Sequence, residues 1–354
     1  PGAEAAYTRV LDHDPGSMVA RVGRGVVRLK QGDYAGAIED LEFAAARRLD
    51  AFVIYHKSSA LAGLGRLSEA EAEIVRGIEV FPGYGELHLL LGKVRLQRGV
   101  DDAVPDLEKA AELDPRSAET WLSLGEAYRR AGRGADALAA YGNASEVDRG
   151  ARARALVGMA DIYATMEGRR DRVPGVLDEA VRVEPGNAEA RIARGNFRMD
   201  QGDLDGGLED YLAAVRADPR SFEGWYNLGS LYELRKETDL ALDAFLRAIG
   251  SGAIDADAHI RAGRILATRK ESARLRDVAE SGLARFPEDV DLMFLRGVAS
   301  LGLSETAAAE ADFSAVLDHR PDDAWARYHR GDARLASGDV RGAIEDFDGF
   351  LAAH

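Results

Sequence analysis

Hydrophobic residues recur along the chain at the spacing of an α-helix that buries one face. Trp121, Leu124 and Tyr128 are three and four residues apart, and Ala137 and Tyr141 are four apart on the stretch that follows. Residues at this spacing lie on one side of a helix, so that a helix can bury them against a neighbour. The pattern predicts two consecutive amphipathic helices.

Small and helix-breaking residues stand where such a pair of helices needs them. Gly132 lies between the two predicted helices and tolerates the left-handed conformation that ends a helix. Gly125 and Ala137 are small, so the two helices can approach closely. Pro219, at the end of a comparable segment, cannot continue a helix and begins the next turn. These positions predict a helix–turn–helix unit.

The same unit recurs at a period of about 34 residues over nearly all of the chain. Residues 118–151, 188–221 and 222–255 align without gaps. The remaining predicted boundaries are 1–17 (a second helix alone), 18–50, 51–84, 85–117, 152–187, 256–289, 290–323 and 324–354. We therefore expect one array over residues 1–354, with about ten repeats and a leading half repeat.

The residues at the recurring positions resemble the tetratricopeptide repeat, whose signature is W-x2-L-G-x2-Y, then A-x3-F, then Pro. The best match contains Trp225, Leu228, Gly229, Tyr232, Ala241 and Phe245. The resemblance extends over essentially the whole chain. It implies an all-α fold, a right-handed superhelical solenoid of antiparallel helix pairs.

One segment, residues 152–187, departs from the pattern. Its turn is longer and covers Glu167–Arg172, and Pro174 falls where the second helix should already have begun. Because proline is tolerated in the first turn of a helix, this second helix is predicted to begin late.

Composition narrows the possible partners and compartments. The formal net charge of −15 disfavours nonspecific binding to nucleic acid or anionic lipid. Cysteine is absent, which excludes disulfides and thiolate sites, and no apolar run is long enough to span a bilayer. The chain begins at Pro1, so a signal or anchor can precede it. The cytoplasm is favoured, with the periplasm or a membrane tether as alternatives.

Chemical motifs do not point to an enzyme. No phosphate-binding loop, zinc-protease, nucleophile-elbow or EF-hand motif occurs, and the seven histidines show no metal-ligand spacing. Acidic pairs recur at one repeat position, which we interpret as an exposed outer face: Glu39–Asp40, Glu209–Asp210 and Glu345–Asp346. The sequence predicts no catalytic residues, no cofactor and no metal.

The resemblance also implies where a partner would bind. In the family, first helices line a concave groove, and their groove positions are carried over to this chain residue by residue. The candidate binding residues are Tyr55, Glu126, Arg129, Arg130, Asn196, Tyr226, Asn227, Ser230, Arg261, Arg264 and Tyr328.

Three of the candidates resemble part of the carboxylate clamp that holds the acidic C-terminal peptide of a chaperone. They are Asn196, Asn227 and Arg261. Asparagine can donate to and accept from a peptide backbone, and arginine can bind a carboxylate through two hydrogen bonds. The two lysine positions of the clamp are occupied by Ile192 and Asp257, and Asp257 would repel a carboxylate.

The leading hypothesis is a non-enzymatic scaffold that binds a peptide or partner protein in the groove, without inserting into a membrane. One alternative is a self-assembling module, because neither end of the array shows a polar capping helix and an uncovered end can pair with another molecule. Another is the regulatory or targeting arm of a larger enzyme.

Overall fold

A computed structural model of the chain describes residues 2–99, 101–252 and 254–352. Twenty-one α-helices account for most of these residues, and none of the residues described forms a strand. The chain divides into two compact units, residues 1–185 (unit 1) and 186–354 (unit 2). The predicted all-α fold is confirmed.

Unit 1 contains eleven helices joined by short turns. They are α1 (Gly2–His13), α2 (Met18–Gln31), α3 (Tyr34–Ala45), α4 (Ala51–Gly63), α5 (Leu67–Val80), α6 (Gly85–Arg98), α7 (Val104–Leu113), α8 (Ala118–Arg130), α9 (Gly134–Val147), α10 (Arg152–Thr165) and α11 (Val173–Val183). A 3-10 turn at Arg170–Arg172 precedes α11, and Pro174 lies in the first turn of that helix. The late start predicted for this helix is therefore confirmed.

Unit 2 contains ten helices in the same alternation. They are α12 (Ala188–Asp200), α13 (Leu204–Ala217), α14 (Phe222–Leu234), α15 (Thr238–Gly250), α16 (Asp257–Thr268), α17 (Ser272–Arg285), α18 (Val290–Gly302), α19 (Thr306–His319), α20 (Ala324–Ser337) and α21 (Val340–Ala352). In both units each even-numbered helix is the first helix of a pair, and the odd-numbered helix that follows it is the second.

The helices of a pair cross closely because a glycine faces a large side chain. A Cβ atom at Gly125 would lie 2.6 Å from the ring of Tyr141, and one at Gly229 would lie 2.7 Å from the ring of Phe245. Tyr141 and Phe245 are both buried. The expectation that small residues permit close approach is confirmed at Gly125.

The tryptophan of the repeat signature also links each pair to the turn before it. The indole N–H of Trp121 donates to the carbonyl oxygen of Pro115 at 2.9 Å, and that of Trp225 donates to the carbonyl oxygen of Pro219 at 3.0 Å. An indole N–H is a donor that needs a partner when the ring packs against protein. Tryptophan at this position thus joins consecutive pairs.

The turn within most pairs contains a residue in the left-handed region, as expected for Gly132, whose φ is 72°. Three pairs of unit 2 place a different residue there. Lys236, Lys270 and Ser304 have φ values of 62°, 59° and 63°. With these backbone angles, the Cβ atom of a residue lies too close to the following carbonyl oxygen, and glycine avoids this strain because it has no Cβ atom.

Lys270→Gly is therefore expected to stabilise unit 2 by about 1 kcal/mol, since the left-handed residue loses its Cβ strain. The free energy of unfolding in urea measures the change. Gly202→Ala, at the same place in another turn of unit 2 with φ 80°, is the matched control and should lose a similar amount. A loss of stability in Lys270→Gly would contradict the strain argument.

Candidate functional site

In unit 2, side chains from successive first helices contact one another and form one continuous surface, here called the first-helix face. At its beginning, the Nδ2 of Asn227 on α14 donates to the Oδ1 of Asn196 on α12 at 2.9 Å. The hydroxyl of Tyr211 donates to the same oxygen at 2.6 Å. The two predicted asparagines are therefore brought together, and the amide of Asn196 is held in place.

The next part of the face is a network of charges between α14 and α16. Arg261 Nε donates to Asp257 Oδ2 at 2.8 Å, and its Nη1 donates to Glu233 Oε2 at 2.6 Å. The hydroxyl of Tyr226 also donates to Asp257. Burial raises the pKa of Asp257, but the hydrogen bonds from Tyr226 and Arg261 outweigh it, so that the pKa lies below its ordinary value. Two carboxylates of the protein itself thus balance the charge of Arg261.

Two other predicted residues of this stretch have different surroundings. Arg264 Nη2 lies 3.9 Å from Asp291 Oδ2, which extends the face from α16 to α18, and the Arg264 side chain is largely exposed. The hydroxyl of Ser230 donates to the carbonyl oxygen of Tyr226 in its own helix at 3.1 Å. Arg264 is accessible to a partner, whereas the Ser230 proton already has an acceptor.

The face continues into an open pocket of about 390 Å³ between α18 and α20, here called the Trp325 pocket. Its apolar and aromatic lining comes from Phe294, Leu295, Trp325 and His329. Its charged lining comes from Arg264, Asp291 and Asp323. A pocket of this size, with an apolar lining and a few charged groups, is typical of a site that takes a side chain or small ligand.

Tyr328 does not line the Trp325 pocket. Its ring packs against Phe347 and Phe350, with centroids 5.6 and 5.2 Å away, and against Trp325 at 6.0 Å. Tyr328 is half-buried, and its ring contacts place it beside Trp325 in this aromatic group. That Tyr328 contacts a partner stays a prediction.

The first-helix face of unit 1 is held together by ion pairs. Glu119 on α8 accepts from Lys93 on α6 at 2.8 Å and from Arg154 on α10 at 3.1 Å. Three predicted binding residues, Glu126, Arg129 and Arg130, form one cluster in which both carboxylate oxygens of Glu126 accept hydrogen bonds. Arg129 donates to both oxygens of Glu126, and Arg130 donates to one of them, at 2.6–2.8 Å. These three predicted residues therefore lie together.

Tyr55, the last candidate of unit 1, is only partly exposed. It packs against the buried core of the first pairs, and its ring meets that of His56 edge-on at 5.1 Å. Burial lowers the pKa of His56, as does the charge of Lys30. The Tyr55 ring contributes to packing as well as to the face.

The prediction that the three acidic pairs lie on an exposed face is wrong for the aspartate of each pair. Asp40 and Asp210 are fully buried and Asp346 is 4% exposed, whereas the preceding glutamates are exposed. The aspartates point between the two helices of their own pair. They meet arginines from the first helix there, which is why they are buried and charged together.

Asp40 shows the arrangement. It accepts hydrogen bonds from Arg21, Arg24 and Arg28 of α2 at 2.7–3.0 Å. Burial raises the pKa of Asp40, but the hydrogen bonds from Arg24 and Arg21 lower it more, and the pKa lies below its ordinary value. The carboxylate is therefore charged at neutral pH.

The same arrangement recurs in unit 2. Asp210 accepts from Arg191, Arg194 and Arg198 at 2.6–3.2 Å, and Asp346 accepts from two arginines of α20. A sequence signal marks these sites, since an R-x2-R-x3-R run is followed by Asp sixteen residues after its middle arginine. We call them the Arg–Asp clusters. They occupy the positions that hold Trp, Leu, Tyr and Ala in 222–255.

Residues 2–99, 101–252 and 254–352 contain neither a membrane-spanning helix nor a metal-binding group of side chains. No helix there has both the length and the apolar character needed to cross a membrane. No group of three or more histidine, aspartate or glutamate side chains is placed there to hold a metal ion.

Comparison with protein families and known proteins gives consistent matches. A family model described as tetratricopeptide repeat matches residues 1–53, 192–259 and 301–354, and a second model with the same description matches residues 100–160. Together these matches cover more than half of the chain.

Two curated proteins resemble parts of the chain. Tetratricopeptide repeat protein 37 of Xenopus laevis is 30% identical over 175 residues, which is 47% of this chain and 11% of that protein. DnaJ homolog subfamily C member 7 homolog of Dictyostelium discoideum is 33% identical over 73 residues, 20% of this chain and 14% of that protein. The chain thus matches only a small part of the length of these relatives.

A solved structure shows the same fold over more of the chain. The crystal structure of a tetratricopeptide repeat protein from Parabacteroides merdae aligns with a TM-score of 0.57 and 15% identity. The alignment covers 70% of this chain and 98% of that one.

Proposed function

The chain belongs to the tetratricopeptide repeat family, and we propose that it is a non-enzymatic scaffold that binds a peptide or a partner protein along its first-helix faces. The observation that carries this proposal is the contact between successive first helices of unit 2. Asn227 is hydrogen-bonded to Asn196 of the preceding first helix. Tyr226 and Glu233 are hydrogen-bonded to side chains of α16, and Arg264 lies near Asp291 of α18.

These contacts support binding because they fix polar side chains in place before a partner arrives. A long side chain that is already ordered loses less conformational entropy on binding. Asparagine amides can pair with an extended peptide backbone, and exposed aromatic rings supply anchor contacts. The residues that we propose to contact a partner are Tyr55, Glu126, Arg129, Arg130, Asn196, Tyr226, Asn227, Arg261 and Arg264, with Ser230 and Tyr328 supporting their neighbours.

The environment of the charged residues supports a role without catalysis. A general acid or base works best with a pKa near the working pH. The pKa of Asp257 instead lies below its ordinary value, and the Arg–Asp clusters are closed by their own ion pairs. Asp257 and the Arg–Asp clusters are thus suited to structure and recognition rather than to proton transfer.

Selection of peptides from a random display library on the full chain tests the proposal. Selected peptides are expected to lose about tenfold in affinity when Asn227 and Arg261 are both replaced by alanine, because two anchoring contacts are removed. Arg216→Ala is the matched control, since Arg216 is exposed on the second helix α13. Peptides that bind both variants equally well would contradict the proposed face.

A further inference from the structure

The Trp325 pocket has a chemistry that selects one kind of side chain. Trp325 is 55% exposed at the first turn of α20, and it packs against half-buried aromatic rings. Its ring centroid is 5.4 Å from that of Phe350 and 6.2 Å from that of His329. These rings pack against the indole, and both Trp325 and His329 are among the residues that line the pocket. A supported, exposed indole face attracts cations, and planar guanidinium groups most of all.

A fixed carboxylate lies beside the indole. Asp323 lines the pocket, and its Oδ1 accepts the backbone N–H of Ala326 at 2.9 Å, as the N-cap of α20. This hydrogen bond holds the carboxylate in place, and its charge is also favourable at a helix N-terminus. A second carboxylate, Asp291, accepts from Arg320 at 2.7 Å and has Arg264 at 3.9 Å. The protein itself therefore already directs guanidinium groups at this wall of the pocket.

Among the lining residues, Arg264 brings one positive charge against the two carboxylates of Asp291 and Asp323, and the remaining polar group, His329, adds none. Burial lowers the pKa of His329, although the nearby Asp332 acts in the opposite direction. The imidazole is consequently neutral at neutral pH. It does not repel a cation that enters the pocket.

The wider first-helix face of unit 2 also carries an excess of negative charge. At the second, fifth, sixth, ninth, twelfth and thirteenth positions of each repeat, where the family resemblance places the groove, the first helices of unit 2 hold two arginines, Arg261 and Arg264, and seven carboxylates. The carboxylates are Glu189, Asp200, Glu223, Glu233, Asp257, Asp291 and Asp332. The corresponding face of unit 1 is balanced, because Glu119 and Glu126 are matched by Lys93, Arg129 and Arg130. Only unit 2 presents a surplus of negative charge to a partner.

We infer that the Trp325 pocket binds the guanidinium of an arginine in a basic segment of a protein partner, stacked on the indole and paired with Asp323. This inference rests on the proposed scaffold function and specifies the partner of that same face. It reverses the charge expected from the carboxylate-clamp resemblance, since a clamp would bind an acidic peptide end.

Labelled peptides that share one Gly/Ser/Leu frame and carry arginine, citrulline or glutamate test the inference by fluorescence anisotropy on the full chain. Citrulline keeps the shape of arginine without its charge. The arginine peptide is expected to bind about tenfold more tightly than the citrulline peptide, and the glutamate peptide most weakly.

Variants locate the binding site. Trp325→Ala is expected to weaken the arginine peptide about tenfold through loss of the stacked ring. Asp323→Asn is expected to weaken it by about fivefold, and it leaves the fold intact because asparagine caps a helix as well as aspartate. Leu240→Ala, which removes a 48% exposed side chain from the second helix α15, is the matched control and should leave affinity unchanged.

Three results would overturn the inference: equal binding of the arginine and citrulline peptides, tighter binding of the glutamate peptide, or an arginine peptide indifferent to Trp325→Ala and Asp323→Asn. The library selection separates this failure from failure of the scaffold itself. Selected peptides that need Asn227 and Arg261 but lack basic residues would leave the scaffold in place and remove the arginine pocket.

Discussion

Asp210→Asn is expected to destabilise unit 2 by about 3–5 kcal/mol, because the buried carboxylate that three arginines share loses its charge. Asp210 is fully buried and accepts from Arg191, Arg194 and Arg198 at 2.6–3.2 Å. Asparagine has nearly the same volume, so the change removes charge without opening a cavity. The arginine side chains are only 14–27% exposed, and water cannot fully replace the carboxylate.

Urea unfolding, with amide hydrogen exchange in α12 and α13, measures the effect. Exchange is needed because repeat arrays unfold in parts, so that one global transition can hide a local loss. Exchange in α18 to α20 should change much less, since each repeat contacts mainly its neighbours.

Replacing the whole cluster provides the control. Arg191→Trp, Arg194→Leu, Arg198→Tyr and Asp210→Ala together install the residues that stand at the same positions in 222–255. The fourfold variant is expected to be as stable as the parent or more so, because a buried ion cluster is often replaceable by apolar residues of similar volume. If Asp210→Asn alone is neutral, the aspartate is not the group that holds the arginines.

Gly92→Ala is expected to destabilise unit 1 by about 2 kcal/mol, although alanine favours a helix. A Cβ atom at Gly92 would lie 2.4 Å from Leu107 Cγ, and Leu107 is fully buried between α6 and α7. The two helices must therefore separate, or Leu107 must leave its rotamer.

Gly142→Ala, in the middle of α9 of the same unit, is the matched control for this prediction. The nearest atom to a Cβ at Gly142 is the Cε of Met159 at 4.0 Å. The same substitution should therefore stabilise unit 1 by about 0.5–1 kcal/mol. Urea unfolding of both variants checks the opposite signs. Equal effects would show that close approach does not determine the choice of glycine at position 92.

The helix pairs could be predicted from the sequence because their signal is local. Trp225, Leu228 and Tyr232 repeat on one helix face, and glycines mark many of the turns. Lys236 and Ser304 show the limit of that rule. Both take the left-handed conformation without being glycine, because the packed helices on either side fix the turn.

The Arg–Asp clusters could not be found by a hydrophobic pattern. Such a pattern treats arginine and aspartate as exposed, and it therefore assigned Asp40 and Asp210 to the surface. Their burial depends on an arginine sixteen residues earlier on another helix, and a pairing of that kind appears only when charges are compared across the repeat.

The charge balance of the first-helix face of unit 2 could not be predicted from the sequence for a related reason. Sequence spacing placed Asn196, Asn227 and Arg261 on one face, and the structure brings the two asparagines together. Sequence spacing could not show that Glu233, from the preceding first helix, accepts a hydrogen bond from Arg261 at 2.6 Å. Contacts between neighbouring first helices decide which charges remain available to a partner.

The Arg–Asp clusters also affect which first helix can pack against which second helix while the chain folds. A first helix such as α14, with Trp225 and Leu228, could in principle dock on the second helix of another pair. Docking of the first helix α12 in this way is unfavourable, because its three arginines would face an alanine, as at Ala244, and lose their ion pairs with Asp210. Misjoined hairpins at these points are therefore expected to be short-lived during folding.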